Sequence, residues 1–120
     1  MVRFDSTWFG GVSINGKRYR DVLIVKGDII DRENIIPGWF EGRSHHTIYK
    51  HELEKLLEGD PEIIIIGNGQ DGVLRVPADV EEAIKKKGIQ LIVLETPEAI
   101  EEYNRLAEKK KVNALIHTTC

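Results

Sequence analysis

Cysteine is nearly missing from this chain: Cys120 is the single one among 120 residues. One thiol forms no internal bridge, so the expected address is a reducing compartment, the cytoplasm. Long apolar runs are missing as well. None approaches the roughly 20 residues that span a bilayer, and the opening Met1-Val2-Arg3-Phe4-Asp5-Ser6 has no apolar signal segment. No membrane association is expected. Excess positive charge is lacking too, with 17 Lys and Arg against 20 Asp and Glu for a net charge of -3. No global field is left to hold a phosphate backbone, so nucleic acid is not an expected partner. The runs Lys85-Lys86-Lys87 and Lys109-Lys110-Lys111 each end a predicted helix, where cations complement the exposed carbonyls. There is no repeat, linker or low-complexity tract. With 41% hydrophobic and 31% charged residues, the composition is that of a chain that folds without help, and its length suits one core. A single domain over residues 1–120 is expected. The abundance of Glu, Lys and Ile beside one Met and one Cys is compatible with a thermophilic source.

Val12-Ser13-Ile14, Asn15-Gly16 and Lys17-Arg18-Tyr19 form a two-residue hairpin signal, since Asn-Gly supplies the two positive φ angles of a type I′ turn. The second strand is expected to run on to Val25, its segment Asp21-Val22-Leu23-Ile24-Val25 ceasing to alternate and becoming wholly apolar, which suits a sheet covered on both faces. Residues 27–46 show no regular pattern. Tyr49, Leu53, Leu56 and Leu57 then recur at helical spacing, with a stop at Gly59-Asp60-Pro61. Buried strands are predicted at Glu62 to Ile66, Ile89 to Leu94 and Val112 to His117. Helices are predicted after Pro77 and after Thr96-Pro97, with Thr96 as N-cap. Strands alternating with helices argue for an α/β fold, three layers around a mixed central sheet, with the N-terminal β-hairpin adding antiparallel strands.

Gly67-Asn68-Gly69-Gln70-Asp71-Gly72 matches G-x-G-x-x-G after an apolar strand, and Glu95 follows the next strand. A dinucleotide site needs a helix that begins within the loop, so that free N–H groups meet the pyrophosphate. Here Val73-Leu74-Arg75-Val76 precedes Pro77, and the helix arrives too late. What survives is a ligand loop of Gly67, Asn68 and Gly69, whose amides can cradle a small anion, with Arg75 and His46 contributing charge and hydrogen bonds. The competing reading is that the glycines only permit a sharp turn and close approach of neighbouring chain. His117 joins that rim only if its strand runs parallel to the Ile63 strand.

No catalytic residue is assigned. G-x-S-x-G, H-E-x-x-H, P-loop and EF-hand patterns are all absent. His45-His46 and His117-x-x-Cys120 are too sparse for a zinc site, so neither metal nor cofactor is expected. His51 lies off the apolar stripe of its helix. Trp8-Phe9 and Trp39-Phe40 are aromatic pairs in turn-like contexts, and Trp8, Trp39 and Phe40 are the interface candidates, for a protein partner or a homodimer.

Ile64-Ile65-Ile66-Gly67-Asn68-Gly69, Leu74-Arg75-Val76-Pro77, Glu102-Tyr103-Asn104-Arg105-Leu106 and His117-Thr118-Thr119-Cys120 together resemble a small family of unknown function. Its eukaryotic members include an adipogenesis-associated cytoplasmic protein and a mitochondrial complex I assembly factor, beside free-standing archaeal and bacterial proteins. The resemblance implies a three-layer α/β fold around a mixed sheet and carries no established reaction. Two functions are therefore expected to compete: a non-enzymatic interaction or assembly module, and a small-molecule or anion-binding protein, enzyme or not, built on the Gly67 to Gly72 loop.

Overall fold

The computed structural model describes residues 1–35 and 46–120. Near the N-terminus, β1 (Phe4–Trp8), β2 (Gly11–Ile14) and β3 (Lys17–Tyr19) form a small antiparallel sheet in that order. The expected Asn15-Gly16 turn joins β2 to β3, with φ of 50° and 80°. The strand does not continue to Val25. The chain bends at Arg20-Asp21, and β4 (Val22–Val25) enters a different sheet. Its alternation ends where the chain changes layer. A second tight turn at Lys26-Gly27, again with two positive φ angles, returns the chain as β5 (Asp28–Asp31), followed by a 3-10 turn at Arg32–Asn34.

The main sheet has the order β5-β4-β8-β6-β7, completed by β6 (Ile63–Asn68), β7 (Gln90–Leu94) and β8 (Val112–His117). β6 pairs parallel with both β7 and β8, whereas β4 pairs antiparallel with β8 and β5. The sheet is mixed, as its sequence pattern implied. Among the described residues three helices cover it: α1 (Lys50–Leu56), α2 (Ala78–Lys86) and α3 (Thr96–Ala107). Ile24, Ile65, Ala114 and Ile116 face α3 and the small sheet, while Leu23, Ile64, Ile66 and Leu115 face α1 and α2. Burial on both faces explains why these strands read as unbroken apolar runs.

Thr96 is not a cap. Glu95 occupies that position, and Thr96 turns inward, fully buried, donating its hydroxyl hydrogen to His117 O at 2.5 Å and accepting from Gly69 N at 3.0 Å. One side chain thereby ties α3 to the ends of β6 and β8. Asn104 does the same for β1, accepting from Phe4 N at 2.9 Å and donating to Phe4 O at 2.8 Å. His51 is exposed, as its place off the helical stripe predicted.

Candidate functional site

The ends of β6 and β8 lie side by side, with Asn68 in register with His117. Because these strands are parallel, the glycine loop and His117 share one rim, the carboxyl edge where open α/β sheets hold their ligands. Beneath that rim lies a polar cluster. Arg32 is completely buried, and its guanidinium donates to Asp21 Oδ2 at 2.9 Å, to Thr47 O at 2.6 Å and, through Nε, to Glu52 Oε2. Glu52 also reaches back to accept from Tyr49 N at 3.0 Å, bracing the first turn of α1. Asp21 accepts from Thr118 N and Thr118 Oγ1, both at 2.7 Å. The bend before β4, the 3-10 turn, α1 and the end of β8 are thus sewn together around one guanidinium.

His117 extends the cluster outward. Burial pushes the Asp21 carboxyl up, but the hydrogen bond and charge of His117, the Thr118 hydroxyl and the Arg32 guanidinium outweigh it and hold its pKa at about 2. A carboxylate only accepts, so the 2.7 Å contact between Asp21 Oδ2 and His117 Nδ1 places a proton on Nδ1. Thr119 Oγ1 lies 3.1 Å from Nε2, which accepts from the hydroxyl when the ring is neutral and donates to it when the ring is charged. Carboxylate, imidazole and hydroxyl follow one another in the order of an acyl-transfer relay. The His46 ring stacks edge-on against His117, with centroids 5.2 Å apart.

The loop amides meet the chain itself. Gln70 N donates to Thr119 O at 2.7 Å, while Asp71 N and Val73 N donate to Cys120 O at 3.1 and 2.9 Å. Gly69, at φ +106°, is glycine because a Cβ there would sit 2.3 Å from the Cys120 carbonyl carbon and 3.0 Å from His117 Cδ2. The donors an anion would use are engaged by the 118–120 segment. Gly67 is closely packed as well: a Cβ there would lie within 3.3 Å of Ile116, Thr96 and Ala99. The α2 helix begins only at Ala78, and the helix end that meets the loop is that of α3, where Thr96 N donates to Gly69 O at 3.0 Å and Thr96 Oγ1 accepts from Gly69 N at 3.0 Å.

The predicted ligand residues are therefore partly assembled. Asn68, Gly69, His46 and His117 meet at the rim, and Asn68 Oδ1 is buried there without a hydrogen-bond partner among the described residues. Arg75 binds His46 through its backbone, N to O at 2.8 Å, and its side chain is exposed. Asp21, Arg32, Glu52 and Thr119 escaped sequence reasoning. Their separations, such as 11 residues from Arg32 to Asp21, 20 to Glu52 and 96 from Asp21 to His117, follow no local spacing. Among the described residues no group of His, Cys, Asp and Glu is arranged to hold a metal ion. No described helix is long and apolar enough to cross a membrane.

The aromatic tip sits against the same rim. Gln70 Nε2 donates to Trp8 O and Thr7 Oγ1, each at 3.0 Å, and Gly10 N donates to Thr118 O at 2.8 Å. Trp8 is 39% exposed and Phe9 64%. Gly11 lets the indole fold back over the strand, since a Cβ there would meet the ring at 2.6 Å, and Arg18 stacks over the indole at 5.5 Å. Trp39 and Phe40, the other interface candidates, lie outside the described residues.

The model of the family described as "Protein of unknown function (DUF498/DUF598)" matches residues 4–117. The chain belongs to this family. Among solved structures, the DUF498/DUF598 chain is similar to a conserved hypothetical protein of Pyrococcus horikoshii OT3, at 31% identity over 98% of this chain and 99% of the other, with a TM-score of 0.84. A protein called MT938 matches at 32% identity over the full length of both chains, with a TM-score of 0.75. A protein of Bartonella henselae described as an outer membrane protein shares the fold, at 21% identity over 99% and 96% of the chains and a TM-score of 0.78.

Proposed function

We propose that this DUF498/DUF598 chain is a non-enzymatic protein-interaction module that docks partners on the tip between β1 and β2. The observation that carries this reading is Phe9, an exposed phenylalanine on a turn tied on both sides, Trp8 O accepting from Gln70 Nε2 and Gly10 N donating to Thr118 O. A braced aromatic binds with little loss of conformational freedom, which is how hot-spot residues act. Arg18, stacked over the Trp8 indole from the edge strand β3, and Arg20, just past the end of that strand, are exposed near it. The favoured partner is an acidic segment with one apolar anchor; a second copy of this chain would bring the same positive charge to the contact. The resemblance to a complex I assembly factor points the same way.

Selection of displayed peptides against the protein tests this. Enrichment of acidic sequences carrying one aromatic or aliphatic anchor is expected, with binding weakened by salt and lost in Phe9→Ser while the melting temperature holds, since exposed substitutions move stability within about 0.5 kcal/mol. Equal enrichment on the Phe9→Ser protein contradicts the reading.

A second reading is favoured by the Asp21, His117 and Thr119 relay together with the orphaned acceptor Asn68 Oδ1: the rim binds a small ligand that donates a hydrogen bond to Asn68 Oδ1 and lies beside the Thr119 hydroxyl. A ligand present at about 100 times its Kd would add about 2.7 kcal/mol of stability. Screening phosphate-bearing compounds by thermal shift checks it, with Arg75→Ala as the control. Gly69→Val is unsuitable because its side chain would collide with Cys120 whether or not a ligand binds.

A further inference from the structure

At the opposite end of the sheet, where β6 and β8 begin, an open cavity of about 440 Å³ lies between the start of the chain, α3 and the Lys26-Gly27 turn. Its floor is apolar: Val2, Ala107 and Val112 line it. Tyr103 lines it as well, with its ring buried and its hydroxyl unbonded to any described residue. The ring is fixed edge-on against Phe4, with centroids 5.1 Å apart. The hydroxyl oxygen is not sealed off from solvent, so on this cavity wall it is available to donate to a ligand acceptor. Burial pushes the Tyr103 pKa up to about 12, which keeps the hydroxyl protonated and able to donate.

The rim is cationic. Lys110 and Lys111 line the opening and make no side-chain ion pair among the described residues, while Lys26, also at the rim, is paired with Glu58 at 3.5 Å. Asn113, a polar wall residue, is already engaged, accepting from Lys26 N and donating to Leu56 O and Glu58 O. A volume of this size is that of a small-molecule site, and an apolar floor with a few convergent polar groups is its usual chemistry.

We infer that this cavity binds a small amphiphilic carboxylate of medium-chain alkanoate size, its tail on Val2, Ala107 and Val112 and its head held by Tyr103 Oη and the Lys110 and Lys111 ammoniums. The site is separate from the aromatic tip and from the glycine rim, so its occupation does not depend on either reading of those.

Calorimetric titration with decanoate, alongside decanol, acetate and anionic lipid vesicles, tests it on the full chain. Decanoate should bind, with amide shifts in the NMR spectrum at Ala107, Val112 and Tyr103. Decanol, which keeps the tail without the charge, and acetate, which keeps the charge without the tail, should each bind roughly tenfold more weakly or worse. Tyr103→Phe preserves the ring packing and should weaken decanoate by roughly tenfold, as should the double variant Lys110→Glu with Lys111→Glu. No binding of decanoate, binding of decanol at equal strength, binding only to vesicles, or an unaltered affinity in both variants would overturn the proposal.

Discussion

Arg32→Met leaves Asp21 and Glu52 facing each other in the interior without the guanidinium they share. Breaking such a buried pair costs about 3–5 kcal/mol, so urea denaturation should show a loss of that size, while peptide binding at Phe9 persists wherever the variant is folded. The acid limb carries a second signature. Asp21 has a folded pKa of about 2 against its ordinary 3.8, so the stabilisation is fully present above pH 4 and disappears as the pH falls toward 2. Its size is about 2 kcal/mol. Asp21→Asn should be less stable at neutral pH and should lose less stability across that window, as followed by denaturant midpoints at a series of pH values. Gly69→Ala meets both a positive φ and the Cys120 carbonyl carbon at 2.3 Å. A cost of about 1–3 kcal/mol is expected from the backbone alone, with loss of amide protection at Gln70, Asp71 and Val73. Residue by residue, close approach of chain at Gly69 was one of two readings the sequence left open, and nothing local identified the chain that approaches, residues 117–120. The buried charges stayed hidden because Asp21 looked like a strand residue and Arg32 fell in a stretch without periodicity.

Among the elements, β6 and β8 announced themselves through apolar runs that only a doubly covered strand tolerates. Their parallel register, which brings His117 beside Asn68, depends on long-range packing that no local pattern encodes. β1 and β5 went unforeseen. β5 is reached through Lys26-Gly27, where a lysine adopts φ of 53°, a turn that Asn or Asp would have advertised and lysine does not. Thr96 shows how a good local signal misleads: Thr-Pro-Glu suits a helix start, but the threonine hydroxyl bridges two strands instead. Thr96→Val keeps the shape and removes both bonds, leaving Gly69 N and His117 O short of a buried partner. A loss of about 1–3 kcal/mol is expected, read by thermal unfolding, with faster hydrogen exchange at Gly69 as the local marker.

Across the whole molecule, the two connections around β6 and β7 run in opposite senses along the sheet. With right-handed crossovers this sends α2 to one face and α3 to the other. That arrangement leaves two poles. At one, the carboxyl ends of β6 and β8 are closed by residues 118–120, with the polar cluster beneath and the aromatic tip leaning on the closure. At the other, the strands begin around an apolar cavity ringed by lysines. The α/β layering was legible because alternation of strand and helix leaves few packings, whereas the poles were not, because each gathers residues from the two ends of the chain. Membership of the DUF498/DUF598 family accounts for the fold and leaves the surface chemistry to decide the function.

The most direct test is to map amide shifts by NMR on the protein bound to its best selected acidic peptide. Shifts concentrated at residues 8–11 and 17–20, abolished by Phe9→Ser, are the predicted result. Shifts concentrated instead at residues 67–73 and 117–120, unaffected by that substitution, would contradict docking on the aromatic tip and assign function to the glycine rim.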